Sequence, residues 1–258
     1  MDVTGKAERI ATLFRECRQV DLLPAELMPA DLDEAYAIRG VFEEIGIAHG
    51  RGAPAGFKIG LTTPIMQKLC GVDEPCYGTI FGNEVHHLSA ELRVADYSRL
   101  GIETEIAVRL GKDLPDGSDA ERVGDAVESC MAAIELLEDL QHDYKRLTAA
   151  AMVAGNVWNA GVVLGAPVTD WRRLDLGKVT ARLTIKGREI GSGKGGDVMG
   201  NPLNALAWLA DKRAAHGHPL TAGTVVMTGS MVPIQFPQPG DIAVVEVEGV
   251  GRAELRAL

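Results

Sequence analysis

The stretch Leu100-Gly-Ile-Glu-Thr-Glu-Ile-Ala-Val-Arg-Leu110 has the β-branched, alternating character of a strand. Alternation places Glu103 and Glu105 on one face and Ile102, Thr104 and Ile106 on the other. Two carboxylates on one face repel unless solvent or a cation separates them. A solvated strand face accounts for this pair alone. It does not account for Glu135, which interrupts the apolar run Met131-Ala-Ala-Ile-Glu-Leu-Leu137, where an unpartnered charge is costly. One divalent cation held by Glu103, Glu105 and Glu135 satisfies both constraints. Three carboxylates without a Cys or His cluster select a hard ion, Mg²⁺ or Mn²⁺. Three protein ligands leave positions open for water or for a chelating substrate.

Outward from this strand, the chain divides in texture. Residues 5–19 read as a helix with Ile10, Leu13 and Phe14 on one face. Asp31 is placed to cap a second helix running to about Ala48, ended by Gly50. After the linker signal Gly52-Ala-Pro-Ala, short β-type runs dominate: Gly56–Leu61, Ile102–Leu110, Val162–Leu164, Val179–Ile185, Val225–Thr228 and Ile242–Val247. Helical segments are expected at Pro64–Leu69, at Ser118–Cys130 leading into Met131–Leu137, and at Pro202–His216. Strands outnumber helices without regular alternation, so the fold class expected is α+β with mixed sheets. The division is a helical N-terminal cap, 1–52, and a catalytic domain, 53–258.

Composition narrows the function. The 258 residues are 46% hydrophobic and 24% charged, enough for a sizeable core. A formal net charge of −10 without a basic stripe argues against nucleic acid and against an anionic membrane surface as partners. No apolar run approaches a membrane span, and the N-terminus lacks a signal-peptide core. Cys17, Cys70, Cys76 and Cys130 are scattered, as expected of reduced thiols in a cytoplasmic protein.

Seven segments, in order, resemble one family: Gly56-Phe-Lys-Ile-Gly-Leu-Thr-Thr63, Asp73-Glu-Pro-Cys-Tyr-Gly78, Ile102-Glu-Thr-Glu-Ile106, Ala133-Ile-Glu-Leu136, Asn159-Ala-Gly-Val-Val-Leu-Gly165, Gly200-Asn-Pro-Leu-Asn-Ala-Leu-Ala-Trp-Leu-Ala210 and Thr228-Gly-Ser230. They resemble the fumarylacetoacetate hydrolase superfamily, in its branch of 2-keto-4-pentenoate hydratases, 2-oxohept-3-enedioate hydratases and 4-oxalocrotonate decarboxylases. The resemblance implies a mixed β-sheet roll or barrel core, a homo-oligomer, and a place in the catabolism of aromatic-derived compounds. It implies a metal-dependent hydratase converting a 2-hydroxy-2,4-dienoate into a 4-hydroxy-2-oxo acid, with protonation at C5 and water addition at C4. Decarboxylation of a 2-oxo-3-enedioate and C–C hydrolysis of an acylpyruvate use related chemistry and stand as alternatives. A lapsed binding or scaffold protein is the non-enzyme alternative.

On this resemblance Lys58 and Glu74 are candidate catalytic residues, and Leu61, Asn156, Gly229 and Ser230 are candidate substrate contacts. Lys58 as a cation would stabilise enolate charge; deprotonated, it could move protons. Four positions depart from the branch. Glu138 and Leu140 stand where an Asp and an Arg are usual, Gly155-Asn156 replaces Asp-Asn, and Trp158 replaces a small residue. Loss of an Arg removes a bidentate partner for a distal carboxylate, so monocarboxylate, apolar-tailed 2-oxo acids are expected over dioates. Gly191-Ser-Gly-Lys-Gly-Gly196 lacks phosphate-loop spacing and reads as a hairpin or a mobile loop. His86, His87 and His142 read as structural or exposed, and the polar-poor stretch Val225–Phe236 as a possible subunit contact.

Overall fold

The computed structural model describes residues 1–16, 19–117 and 120–258. Cys17 and the expected helix start at Ser118 lie outside the described residues. The first helix is α1 (Val3–Arg15), and α2 (Leu32–Ala48) is capped by the Asp31 carboxylate accepting from the Glu34 N–H. Then follow β1 (Pro54–Gly60), α3 (Pro64–Leu69), β2 (Cys76–Phe81), β3 (Val85–His87), β4 (Ser89–Leu92) and β5 (Leu100–Leu110). The second half holds α4 (Ala120–Ala126), β6 (Val127–Glu138), α5 (Ala149–Ala154), β7 (Asn159–Leu164), β8 (Thr180–Ile185), β9 (Arg188–Lys194), α6 (Pro202–Ala215), β10 (Val225–Gln235), β11 (Ile242–Val247) and β12 (Gly251–Ala257).

The strands form a curled seven-stranded sheet, ordered β2-β1-β10-β5-β6-β7-β3, and a five-stranded sheet, ordered β4-β12-β11-β8-β9. Both mix parallel and antiparallel pairs, as β1 runs parallel to β10 but antiparallel to β2. The α+β expectation holds. The hairpin expected around Gly191–Gly196 is the β8–β9 pair.

Two expectations need correction. The helix expected to run to Cys130 ends at Ala126, and Val127–Glu138 is a strand. Every residue from Ser129 to Glu138 is buried, so the run carries no alternation, and a strand covered on both faces cannot be told from a buried helix by periodicity. The polar-poor stretch Val225–Phe236 is largely a central strand of this chain. β10 lies between β1 and β5, and Val225, Val226, Met227, Met231 and Val232 are buried within the chain. Its apolar character therefore needs no second subunit.

The N-terminal helices are joined closely to the sheet. Ile10, Ile38 and Phe42 share a core cluster with Ala154 of α5. Arg39 donates to the Thr79 hydroxyl on β2, at 2.6 Å. Arg51, just beyond α2, grips Glu84 with two bonds of 2.5 and 2.8 Å and reaches the Asn159 carbonyl at 3.3 Å.

Gly56 explains the first glycine of the Gly-x-Lys-x-Gly run. It pairs with Val225 across the β1–β10 seam, where an added Cβ would lie 1.9 Å from the Val225 carbonyl oxygen. Backbone cannot yield there as a side-chain tip can. Gly56→Ala is expected to lower unfolding free energy by about 3 kcal/mol, measured by urea denaturation. An unchanged midpoint would show that the seam tolerates the methyl group.

Candidate active site

Four adjacent strands build the site. β1 supplies Lys58, β10 the Gly229-Ser230 segment, β5 Glu103 and Glu105, and β6 Glu135. Glu103 stands directly opposite Glu135 in the antiparallel β5–β6 register, and Glu105 opposite Ser230 in the β5–β10 register. Like charges facing each other across a ladder destabilise it, so the register itself concentrates repulsion at this point.

The carboxylates are asymmetrically used. Glu135 is fully buried; its Oε1 contacts the Lys58 ammonium at 3.0 Å and accepts from Asn159 Nδ2 at 3.1 Å. Its Oε2 is buried without a partner. Glu105, also fully buried, accepts the Gly229 N–H on Oε2 at 2.8 Å, while its Oε1 has no partner. Gly229 lies at a register shift in β10 with φ +127°, a conformation that only glycine adopts readily. One carboxylate oxygen from each of Glu103, Glu105 and Glu135 falls within 4.8 Å of the others. Two of the three carboxylates thus spend one oxygen on the protein and leave the other buried and unsatisfied, which is costly without a cation.

Electrostatics agree with that geometry. Burial pushes the Glu103 carboxyl up to about 7, Lys58 opposing and Glu135 reinforcing the shift. Glu105 is pushed well above the ordinary range by burial and by Glu135 and Glu103. Burial works against the Lys58 ammonium, but Glu135, Glu103 and Glu105 outweigh it and hold its pKa above the usual value. Lys58 is therefore a cation and a hydrogen-bond donor. The raised carboxyls report the cost of gathering three acids around one ammonium, a cost that a divalent cation would relieve.

The cluster opens into a cavity of about 520 Å³. Lys58, Glu103, Leu61 and Ser230 line it, together with Thr62, Tyr144, Trp158 and the apolar side chains of Met66, Leu137, Met152, Val157 and Ile234. Leu61 and Ser230 are thus brought to the site as expected. Gly229 reaches it through its N–H to Glu105.

Asn156 and Glu74 are placed otherwise. The Asn156 amide is spent on the Thr79 backbone, accepting its N–H at 2.7 Å and donating to its carbonyl at 2.9 Å. It therefore clamps β2. Glu74 pairs with Lys212 at 2.6 Å and accepts from Trp208 Nε1 at 3.4 Å, both on α6, and it is not among the residues lining the cavity. Of the positions where the sequence departs from its branch, only Trp158 lines the cavity. Leu140 is buried elsewhere, its carbonyl accepting the Val20 N–H.

Sequence reasoning passed over Asn159 and Tyr144. Asn159 fixes Glu135, yet it reads as an ordinary strand start. Tyr144 lines the cavity while its hydroxyl donates to Asp139 at 2.8 Å, and Asp139 is also paired with Arg99. A tyrosine in a loop carries no periodic signal. His142 is structural, stacked on Trp158 with ring centroids 5.1 Å apart.

Comparison with known proteins places this architecture. The family model for the fumarylacetoacetate hydrolase C-terminal domain matches residues 81–257. A 2-keto-4-pentenoate hydratase of Paraburkholderia phymatum is 33% identical over 257 residues, with 97% of each chain covered. A 2-hydroxyhexa-2,4-dienoate hydratase of Comamonas testosteroni is 29% identical, covering 98% of this chain and 97% of its own. Among solved structures, 4-oxalocrotonate decarboxylase from Pseudomonas putida G7, complexed with magnesium and adipate, shares the fold with a TM-score of 0.92 at 23% identity, covering 99% of this chain and 97% of that one. With its curled mixed sheet and a model match over most of its length, the chain belongs to the fumarylacetoacetate hydrolase family.

Proposed function

We propose that the chain is a divalent-metal-dependent hydratase that adds water to a 2-hydroxy-2,4-dienoate, giving a 4-hydroxy-2-oxo acid, in the cytoplasmic breakdown of aromatic-derived compounds. The observation that carries this reading is the pair of orphaned oxygens, Glu105 Oε1 and Glu135 Oε2, beside a buried Lys58 at one end of an apolar cavity. The full-length likeness to named hydratases supports it. Residues 1–52 act as a cap on the catalytic part, and the working form is a homo-oligomer.

Glu103, Glu105 and Glu135 are the residues that would hold the cation, and a set of carboxylate oxygens suits Mg²⁺, with Mn²⁺ the alternative. Once bound, the ion supplies a Lewis acid for the substrate's C1 carboxylate and C2 oxygen. Lys58 donates a hydrogen bond toward the C2 oxygen, where negative charge gathers in the dienolate and again when water adds at C4. As a cation it stabilises that charge. Ser230 donates to the Val232 carbonyl at 2.7 Å and so meets the substrate as an acceptor. Leu61, with φ +58°, packs against the reacting carbons. Glu74 takes no chemical part.

Monocarboxylate substrates are favoured over dioates, for a reason other than Leu140. Lys58 is the only cationic side chain among the residues lining the cavity; Arg109, Arg146 and Lys194 are not among them. A second substrate carboxylate would find no further cationic side chain in the lining, and Asp197, which is in it, adds a like charge.

Three outcomes are expected. Mg²⁺ should drive loss of dienoate ultraviolet absorbance without release of carbon dioxide. Gas release would move the decarboxylase reading ahead, and no turnover in any metal would leave a binding protein. Lys58→Ala should lower kcat/KM by ~10²-fold or more without weakening Mg²⁺ binding, since a competing cation is removed; near-normal turnover would make Lys58 structural. Glu103→Gln gives a pH signature in chelator. A carboxyl raised to about 7 in the fold binds more protons than in the unfolded chain, so its contribution to stability falls as pH rises from the ordinary carboxyl range to about 7. Relative to wild type, the variant should therefore gain thermal stability across that window and lose the stabilisation that Mg²⁺ confers. A Tm difference flat with pH, or an unchanged response to Mg²⁺, would exclude Glu103 from the site.

A further inference from the structure

The cavity is larger than the smallest hydratase substrate needs. 2-Hydroxypenta-2,4-dienoate has eight non-hydrogen atoms; even at the ~30 Å³ that a water molecule occupies in the liquid, they fill roughly 240 Å³. That is under half of the 520 Å³ available. The surplus is apolar, bounded by Met66, Leu69, Met152, Val157, Trp158 and Ile234.

One side of that space is held by an unusual backbone. Asn156, Val157 and Trp158 have φ of +56°, +49° and +61°, three consecutive non-glycine residues in the left-handed region. Such a conformation is strained for a residue with a side chain, and a β-branched residue there is a genuine outlier. Two hydrogen bonds between the Asn156 amide and the Thr79 backbone, one accepted and one donated, hold the turn, and the Trp158 indole is fixed by stacking on His142 and by an edge contact with Tyr144, centroids 5.9 Å apart at 87°. Strain that persists because its surroundings enforce it is found where a side chain must be aimed. Here it aims a rigid, flat aromatic surface into the apolar end of the cavity.

Resting on the hydratase reading, we propose that the substrate carries a bulky uncharged tail beyond C5, an aryl or extended alkyl group, that packs against Trp158 and the Met66–Leu69–Met152 side of the cavity. The polar end takes the 2-oxo acid head, and Asp197 disfavours an anionic tail.

The test compares 2-hydroxyhexa-2,4-dienoate with 2-hydroxy-6-phenylhexa-2,4-dienoate, whose phenyl group is insulated from the diene. With Mg²⁺ present, kcat/KM is expected to be at least tenfold higher for the phenyl compound, mostly through KM. Calorimetry with the unreactive acids 2-oxohexanoate and 2-oxo-6-phenylhexanoate should show a Kd at least tenfold lower for the latter. Leu69→Trp, at a position 46% exposed and so tolerant of substitution, should lower the phenyl-to-alkyl ratio severalfold by filling the tail space. Equal or lower kcat/KM for the phenyl compound, with both turned over, overturns the tail proposal and leaves the hydratase reading intact. If neither is turned over, the hydratase reading fails, and the two Kd values decide the tail: tighter phenyl binding upholds it and equal binding overturns it. A ratio unmoved by Leu69→Trp overturns the placement of the tail.

Discussion

The contact between Lys58 and Glu135 sets the terms for everything around it. Their strands are separated by β10 and β5, three ladder spacings or about 14 Å in a flat sheet. Strand side chains stand roughly perpendicular to their sheet and do not reach sideways across three strands, yet the ammonium and Oε1 are 3.0 Å apart. The curl of the seven-stranded sheet turns the two side chains toward each other. The curl in turn depends on features that look incidental in the primary structure, such as the Gly56 seam and the register shifts along β10. A buried pair of this kind is a weak source of stability. Its role is to fix one oxygen of Glu135 so that the other is free.

Much of this was legible before any coordinates. The pairing of Glu103 and Glu105 follows from strand alternation, and the oddity of Glu135 from its apolar neighbours. The α+β class followed from strands that do not alternate with helices. The rest was hidden for identifiable reasons. β6 is buried on both faces and shows no period. β2, Cys76–Phe81, is buried along its whole length and so shows no alternation either. Asn156 sat beside site residues in the sequence, but an amide can serve backbone as readily as ligand, and only the Thr79 contacts decide which. Leu140 looked important through what it replaced, whereas its own surroundings lie away from the cavity.

The site also shows how a protein positions like charges without pairing all of them. Gly229 presents its N–H to Glu105, and Asn159 and Lys58 present theirs to Glu135. These donors orient the carboxylates, much as outer contacts orient ligands at metal centres in general. Glu103 is the partly buried member and lines the cavity.

Arg51 ties the ends of this arrangement together. It follows the second N-terminal helix, and its guanidinium holds both Glu84 and the carbonyl of Asn159, the residue whose side chain steadies Glu135. One guanidinium thus links the end of the helical segment to a residue that holds a carboxylate of the cluster. The two textures of the sequence share a wire three residues long: Arg51, Asn159, Glu135.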